Sequence, residues 1–242
     1  MRNRRRMTNQ FVVFAALAIL LSVSGIAGCG NGNSSVSKSV PPQAGRLTTA
    51  PPLQTLGAVE IRSYQGAKLD AVSSEPENSI SGPQHIDIKT YRLAVTGLVK
   101  TPLSLTYDAV TAMPAYQKVT TLHCIEGWSR TYKWRGVLLK DLLARAGYDP
   151  SAKILIFRCA DGYTTSLPVD FIVNHKILLA YRMNDIVMPP ERGFPFQVVA
   201  ENHYGYKWAK WVTSIEVSNT TNYRGYWESR GYDNAATLPG AK

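Results

Sequence analysis

Val119-Thr120-Thr121-Leu122-His123-Cys124-Ile125-Glu126-Gly127-Trp128-Ser129 is a strand-like run that turns abruptly at Glu-Gly-Trp and carries a cysteine at the bend. An apolar, β-branched run closed by glycine fixes one strand and its exit. Thiols are scarce, three in 242 residues. One placed at a strand-to-turn junction can be aimed into a pocket as a metal ligand or redox nucleophile. A small buried hydrophobe is the plainer reading of any single cysteine, so the rest of the chain has to decide.

Outward from this run, Val137 to Gly147 predicts the best helix. Leu138, Leu142 and Ala146, with Leu139 and Leu143, form one apolar stripe, and Gly147 supplies the stop. Leu105 to Met113 predicts a short helix ended by Pro114, and Pro168 to Asn174 another with proline in its first turn. Tyr91, Leu93 and Val95 alternate with Arg92, Ala94 and Thr96, the period of a half-buried strand that ends at Gly97. Val119 to Ile125, Lys153 to Arg158, Phe196 to Ala200 and Trp211 to Val217 are further strands. Strands and short helices interleave without regular β-α-β alternation, so the class is α+β. Residues 58–242 form one domain without an internal repeat, long enough to bury on the order of 70% of its unfolded surface.

The first 28 residues read as an export signal. Arg2, Arg4, Arg5 and Arg6 precede the uncharged run Phe11 to Leu21, which is shorter than the ~20 residues needed to span a bilayer. Met7-Thr8-Asn9 lacks the bulky apolar residues usual after a twin-arginine pair, so the pair does not decide the export route. Ile26-Ala27-Gly28-Cys29 resembles the lipobox of bacterial lipoproteins, which implies lipidation of Cys29 as the first mature residue. Residues 29–57 are rich in Ser, Gly, Pro, Thr and Asn and read as a flexible tether. The expectation is an exported lipoprotein, anchored to the membrane on the outer side. Removing residues 1–28 takes away four arginines and no acids, so the formal charge falls from +10 to +6. The remaining charges are dispersed, which argues against nucleic acid as a partner.

With Cys29 lipidated, Cys124 and Cys159 remain. Outside the cytoplasm such a pair suggests a disulfide, closing a loop of roughly 35 residues worth about 3 kcal/mol. The competing reading gives Cys124 a metal. Cysteine counts alone favour the disulfide.

Seven segments, in order, resemble the molybdopterin-binding domain of the sulfite oxidase superfamily, and in particular its small exported bacterial branch. They are Tyr91 to Gly97, Leu122 to Ser129, Trp134 to Leu143, Ala160 to Ser166, Pro189 to Pro195, Tyr204 to Trp211 and Gly225 to Gly231. The resemblance implies a Mo-molybdopterin cofactor whose metal is ligated by the Cys124 thiolate, which overturns the disulfide. A soft anionic sulfur suits that metal. Cys159 then lies near the cofactor or in the core. Lys207 and Lys210, flanking Trp208, are implied to grip the cofactor's phosphate, and Arg192 matches a pterin-binding position. Gln197 stands where a relative carries arginine. Glu126 and Tyr163 are the implied pocket residues, while His123 reads as a satisfied core histidine. Arg130 and Arg158 are available to attract an anionic or dipolar substrate. The five tryptophans are mainly packing, with Trp128 or Trp208 able to wall a cleft.

The resulting expectation is a two-electron oxygen-atom-transfer enzyme acting on a small-molecule or protein oxo substrate. Reduction of an S-oxide or N-oxide comes first, sulfite oxidation second, and a non-catalytic binding lipoprotein of the same fold third. The sequence has no Cys-x-x-Cys-His haem motif and no iron–sulfur cysteine set. Electrons therefore pass to or from another protein, with a membrane haem protein the expected partner.

Overall fold

The computed structural model describes residues 60–241. The signal segment, Cys29 and the tether lie outside the described residues. In chain order the strands and α-helices are β1 (Ser63–Tyr64), β2 (Ala67–Lys68), β3 (Leu93–Gly97), β4 (Leu103–Leu105), α1 (Tyr107–Thr111), β5 (Tyr116–His123), β6 (Ser129–Leu138) and α2 (Leu139–Ala146). They continue with β7 (Ile154–Cys159), β8 (Thr164–Pro168), α3 (Val169–Asn174), β9 (Leu178–Met183), β10 (Ile186–Val187), β11 (Gln197–Val199) and β12 (Val212–Ser218). Strands outnumber the short helices, and the α+β class is what the chain adopts.

Two five-stranded sheets carry the core. One runs β10-β9-β6-β5, with β11 also paired to β9; the other runs β4-β3-β12-β7-β8. Every pairing is antiparallel except β12 with β3, which is parallel, so the second sheet is mixed. A bulge falls between Arg135 and Gly136 where β6 meets β9. A Cβ on Gly136 would lie 2.1 Å from the Leu179 carbonyl oxygen, so only glycine permits this approach.

The helices form where caps and stripes agree. Thr106 accepts a hydrogen bond from the Ala109 N–H at 3.1 Å and opens α1. In α2 the stripe Leu139, Leu142, Leu143 and Ala146 is buried, and Gly147 at φ +63° returns its N–H to the last turn. The predicted helix began two residues too early, because Val137 and Leu138 close β6. β6 and β9 carry no clean alternation, since both are central in their sheet. Burying a strand on both faces erases the period of two. Leu178 to Tyr181 are all buried, and Lys133, inside β6, is covered by the Tyr64 ring and paired with Asp185.

Candidate active site

β5 ends at His123, so Cys124 begins a tight turn rather than sitting inside the strand. The Cys124 N–H donates to the Trp128 carbonyl at 2.9 Å, the Gly127 N–H donates back to Cys124 at 3.1 Å, and Gly127 sits at φ +91°. This turn, not strand alternation, brings Glu126 beside the sulfur. Cys124 Sγ lies 3.6 Å from Glu126 Oε2, which also accepts from the Trp128 indole N–H at 3.1 Å. The Asn78 amide reaches the same sulfur at 3.7 Å. Burial pushes the Cys124 thiol above its ordinary range, and the Glu126 carboxylate adds to the effect. A bound cation reverses that balance and favours the thiolate.

Cys124 opens into a cleft of about 720 Å³, a volume that includes the open solvent at its mouth. Four parts of the chain wall it besides the Cys124 turn: Asn78 to Ile80, the β7–β8 turn with Asp161 and Tyr163, the stretch from Gly205 to Trp211, and Trp227 with Tyr232. Glu126, Tyr163, Trp208 and Lys210, expected from the sequence, meet here. The Lys210 ammonium rests over the Trp211 ring at 4.7 Å and pairs with Glu77 at 3.5 Å. Burial lowers its pKa, against the pull of Glu77 and Glu75.

Three expected cofactor residues are placed elsewhere. Lys207 is buried, and its ammonium faces Glu228 Oε1 at 2.5 Å, the Ser166 carbonyl at 3.1 Å and Asn234 Oδ1 at 3.3 Å. Its three protons are spent on the fold, with none left for a phosphate. Arg192 is also buried; its guanidinium binds the Glu75 carboxylate at 3.0 Å and the Glu75 and Pro76 carbonyls. Cys159 packs in the core, where burial raises its thiol well above the ordinary range. Both described cysteines are free, so the disulfide suggested by counting does not form.

The Tyr163 hydroxyl donates to the Tyr206 carbonyl at 2.6 Å, and burial pushes its phenol strongly upward. It therefore holds the 205–207 turn at the cleft wall. His123 is half-buried rather than core, with Nδ1 2.8 Å from Ser129 Oγ. Arg158 pairs with Glu216, and Arg130 binds Ser74; neither lines the cleft. Trp208 walls the cleft and Trp128 does not. Sequence reasoning missed Asn78, Ser79, Asp161 and Tyr232. Only Asp161 carried a signal, the Asp-Gly turn it opens.

The molybdenum cofactor needs a soft ligand at one end and donors for an anion at the other. Cys124 is the thiol that faces the cleft and could serve as the first. Lys210, with one carboxylate partner at 3.5 Å, keeps donors for the second. The Ser79 hydroxyl is buried at the cleft wall without a hydrogen-bond partner among the described residues, and a buried hydroxyl of that kind suits a bound polar group. The residues present fit the group.

Residues 80–227 match the family model of the oxidoreductase molybdopterin binding domain. The chain belongs to that family, within the sulfite oxidase superfamily, and is an oxidoreductase whose cofactor is Mo-molybdopterin. It is 37% identical over 151 residues to an uncharacterised oxidoreductase, YuiH, of Bacillus subtilis, covering 62% of this chain and 76% of the relative. It is 34% identical over 150 residues to a putative protein-methionine-sulfoxide reductase subunit, YedZ1, of Azospira oryzae, covering 62% of this chain and 57% of that one. Mouse mitochondrial sulfite oxidase is 29% identical over 182 residues, which span 61% of this chain and 32% of the enzyme. The sulfane dehydrogenase SoxCD of Paracoccus pantotrophus shares the fold, with a TM-score of 0.57 and 21% identity over 76% of this chain and 57% of its own. The chain thus spans only part of most of these relatives.

Proposed function

We propose that this chain reduces an S-oxide or N-oxide, with the Cys124 thiolate as the protein ligand of molybdenum. The charge balance of the cleft carries this reading. Its lining presents two carboxylates, Glu126 and Asp161, against one ammonium, Lys210, and no guanidinium. An oxyanion such as sulfite is best held by a planar cationic fork, and among the described residues none lines this cleft. A neutral or dipolar oxide needs an apolar wall and a source of protons. Trp208, Trp227 and Tyr232 offer the wall, and aromatic rings contact sulfur groups favourably. The relative named as a methionine-sulfoxide reductase subunit supports the same direction. The sulfite oxidase relatives support the alternative, sulfite oxidation.

Reduction of a sulfoxide consumes two electrons and two protons, breaks the S–O bond and releases the oxygen as water. The bound cofactor supplies the two-electron oxygen-transfer chemistry. The chain's own residues do the rest. Cys124 fixes the metal end, and the Asn78 amide donates toward its sulfur. Glu126, held by the Trp128 indole, stands beside that sulfur where protons pass. Lys210 and the Ser79 hydroxyl receive the anionic end of the cofactor. Electrons arrive from a separate carrier, with a membrane haem protein the favoured donor, and a lipid on Cys29 keeps the enzyme beside it at the cell envelope. Among the described residues no helix is long and apolar enough to cross a membrane.

The test is metal and pterin analysis of protein made in a molybdate-replete host, followed by assay of S-oxides, N-oxides and sulfite with dye donors and acceptors. About one molybdenum per chain and reduction of an oxide are expected. Faster turnover of sulfite than of any oxide would reverse the direction, and metal-free protein that binds a ligand would make the chain a binding module.

A further inference from the structure

Residues 75–86 lie between the 3₁₀ turn Val72–Ser74 and the second sheet, and among the described residues no backbone–backbone hydrogen bond involves them. Segments of that kind are ordinarily the first to open. This one nevertheless lies against the cleft, with Asn78, Ser79 and Ile80 in its wall. Side chains alone keep it there.

Its inner point is a buried ion pair. Arg192, 2% exposed, faces the Glu75 carboxylate at 3.0 Å and grips the Glu75 and Pro76 carbonyls at 2.5 and 3.4 Å. A guanidinium contacting one carboxylate and two carbonyls fixes direction as well as position. The outer point is Glu77, whose carboxylate faces the Lys210 ammonium at 3.5 Å and caps the Ser79 N–H at 2.8 Å. Glu75 and Glu77 are two residues apart, so an extended chain presents them to two different cations. Beyond them the Ser81 hydroxyl donates to the Asp161 carbonyl at 3.2 Å. Between these points sits Asn78, its amide on the Cys124 sulfur.

We propose that Glu75 and Glu77 are positioning residues which, through Arg192 and Lys210, hold residues 75–81 across the cleft as a strap. The strap places the Asn78 amide on the Cys124 sulfur and limits the size of molecule that reaches it. The proposal concerns access to that sulfur, so it stands apart from which substrate is turned over and from whether molybdenum is bound.

The test uses the full chain, made in a host that lacks the pterin. Cys124 and Cys159 are labelled in parallel with iodoacetamide and with a bulky maleimide, and each cysteine is read by peptide mass spectrometry. The readout is the maleimide-to-iodoacetamide rate ratio at Cys124, from which any change in thiol acidity cancels. Glu77→Gln keeps an acceptor for the Ser79 N–H and removes the charge. It is expected to raise the ratio about threefold, the scale of one partly exposed ion pair. Glu75→Gln breaks the buried pair and should raise it about tenfold or more. Glu216→Gln, which breaks the remote Arg158 pair, should leave it unchanged, and Cys159 should stay unlabelled throughout. An unchanged ratio in Glu77→Gln overturns the strap, as does labelling of Cys159 in step with Cys124, which would mean general loosening.

Discussion

Cys124-Ile125-Glu126-Gly127-Trp128 and Cys159-Ala160-Asp161-Gly162-Tyr163 form the same turn in two places. Each closes an antiparallel hairpin, β5–β6 in one case and β7–β8 in the other. In each the cysteine N–H donates to the carbonyl four residues on, at 2.9 and 3.0 Å, and the glycine N–H donates back to the cysteine at 3.1 Å. The glycines sit at φ +91° and +85°, and both acids reach the same cleft. The thiols part company. Ala160 is tied by its N–H to the Trp211 carbonyl at 3.0 Å, and Cys159 is packed in the core. Ile125 in the first turn is 49% exposed, and Cys124 faces the cleft. Local pattern sets the turn; what packs beyond it decides whether the sulfur faces the cleft or fills the core.

The sharpest way to break that contrast is to remove each sulfur. Cys124→Ser should abolish thiolate-to-metal absorption and cut activity by at least about 100-fold, more than loss of an outer partner costs. Cys159→Ser should keep metal and activity while losing about 1–3 kcal/mol of stability, the cost of a hydroxyl in apolar core. Equal loss of metal from both variants would erase the distinction.

Glycine tests the half that the turns share. Nothing lies within 4 Å of a Cβ on Gly127 or Gly162, so alanine meets only backbone strain. Gly127→Ala and Gly162→Ala should each cost about 1–2 kcal/mol, measured by urea unfolding. A large difference between them would show that the two turns are not equivalent.

Alkali separates the thiols by linkage. Burial holds the Cys159 thiol protonated well past its ordinary pKa, while in the unfolded chain it ionises near pH 8.5. Its contribution to stability is therefore complete below that pH and is lost as pH rises toward the folded value. The slope is at most about 1.4 kcal/mol per pH unit. Between pH 8 and 10, unfolding free energies of Cys159→Ser should fall less steeply than those of the parent. Parallel slopes would mean that Cys159 is not sealed.

The smallest effect concerns Asp161. Burial raises its carboxyl pKa, opposed by the Tyr163 N–H and Lys210. A raised acid contributes stability that is complete below the unfolded pKa near 3.9 and is lost as pH rises through the folded value. Asp161→Asn should thus give a small rise in melting temperature at pH 7 that vanishes at pH 3, with metal content unchanged. A fall at pH 7 would mean that the carboxylate is held by a stronger partner than those seen.

Much of the fold was legible because it obeys local rules. The Leu139 to Ala146 stripe with Gly147, the short helix stopped before Pro114, and the alternation from Leu93 each involve neighbours in sequence. β6 and β9 were hidden by burial on both faces. The bend at Glu-Gly-Trp was legible, and it is this turn that brings Cys124 and Glu126 together, since the strand stops one residue before the sulfur. The burial of Lys207 against Glu228 was not legible, because in sequence it looks like any other basic loop residue. Asn78 gave no signal; its place depends on ion pairs spanning more than a hundred residues of chain.

The Lys207–Glu228 pair is sealed from solvent on both sides, and it fastens the segment that brings Trp227 and Tyr232 to the cleft. That segment is made long after the Cys124 hairpin it faces. A nascent chain stalled before residue 228 would present its sulfur in an open trough with one bank missing. The permanence of that bank therefore rests on two charges hidden from water, far along the chain from the sulfur they help enclose.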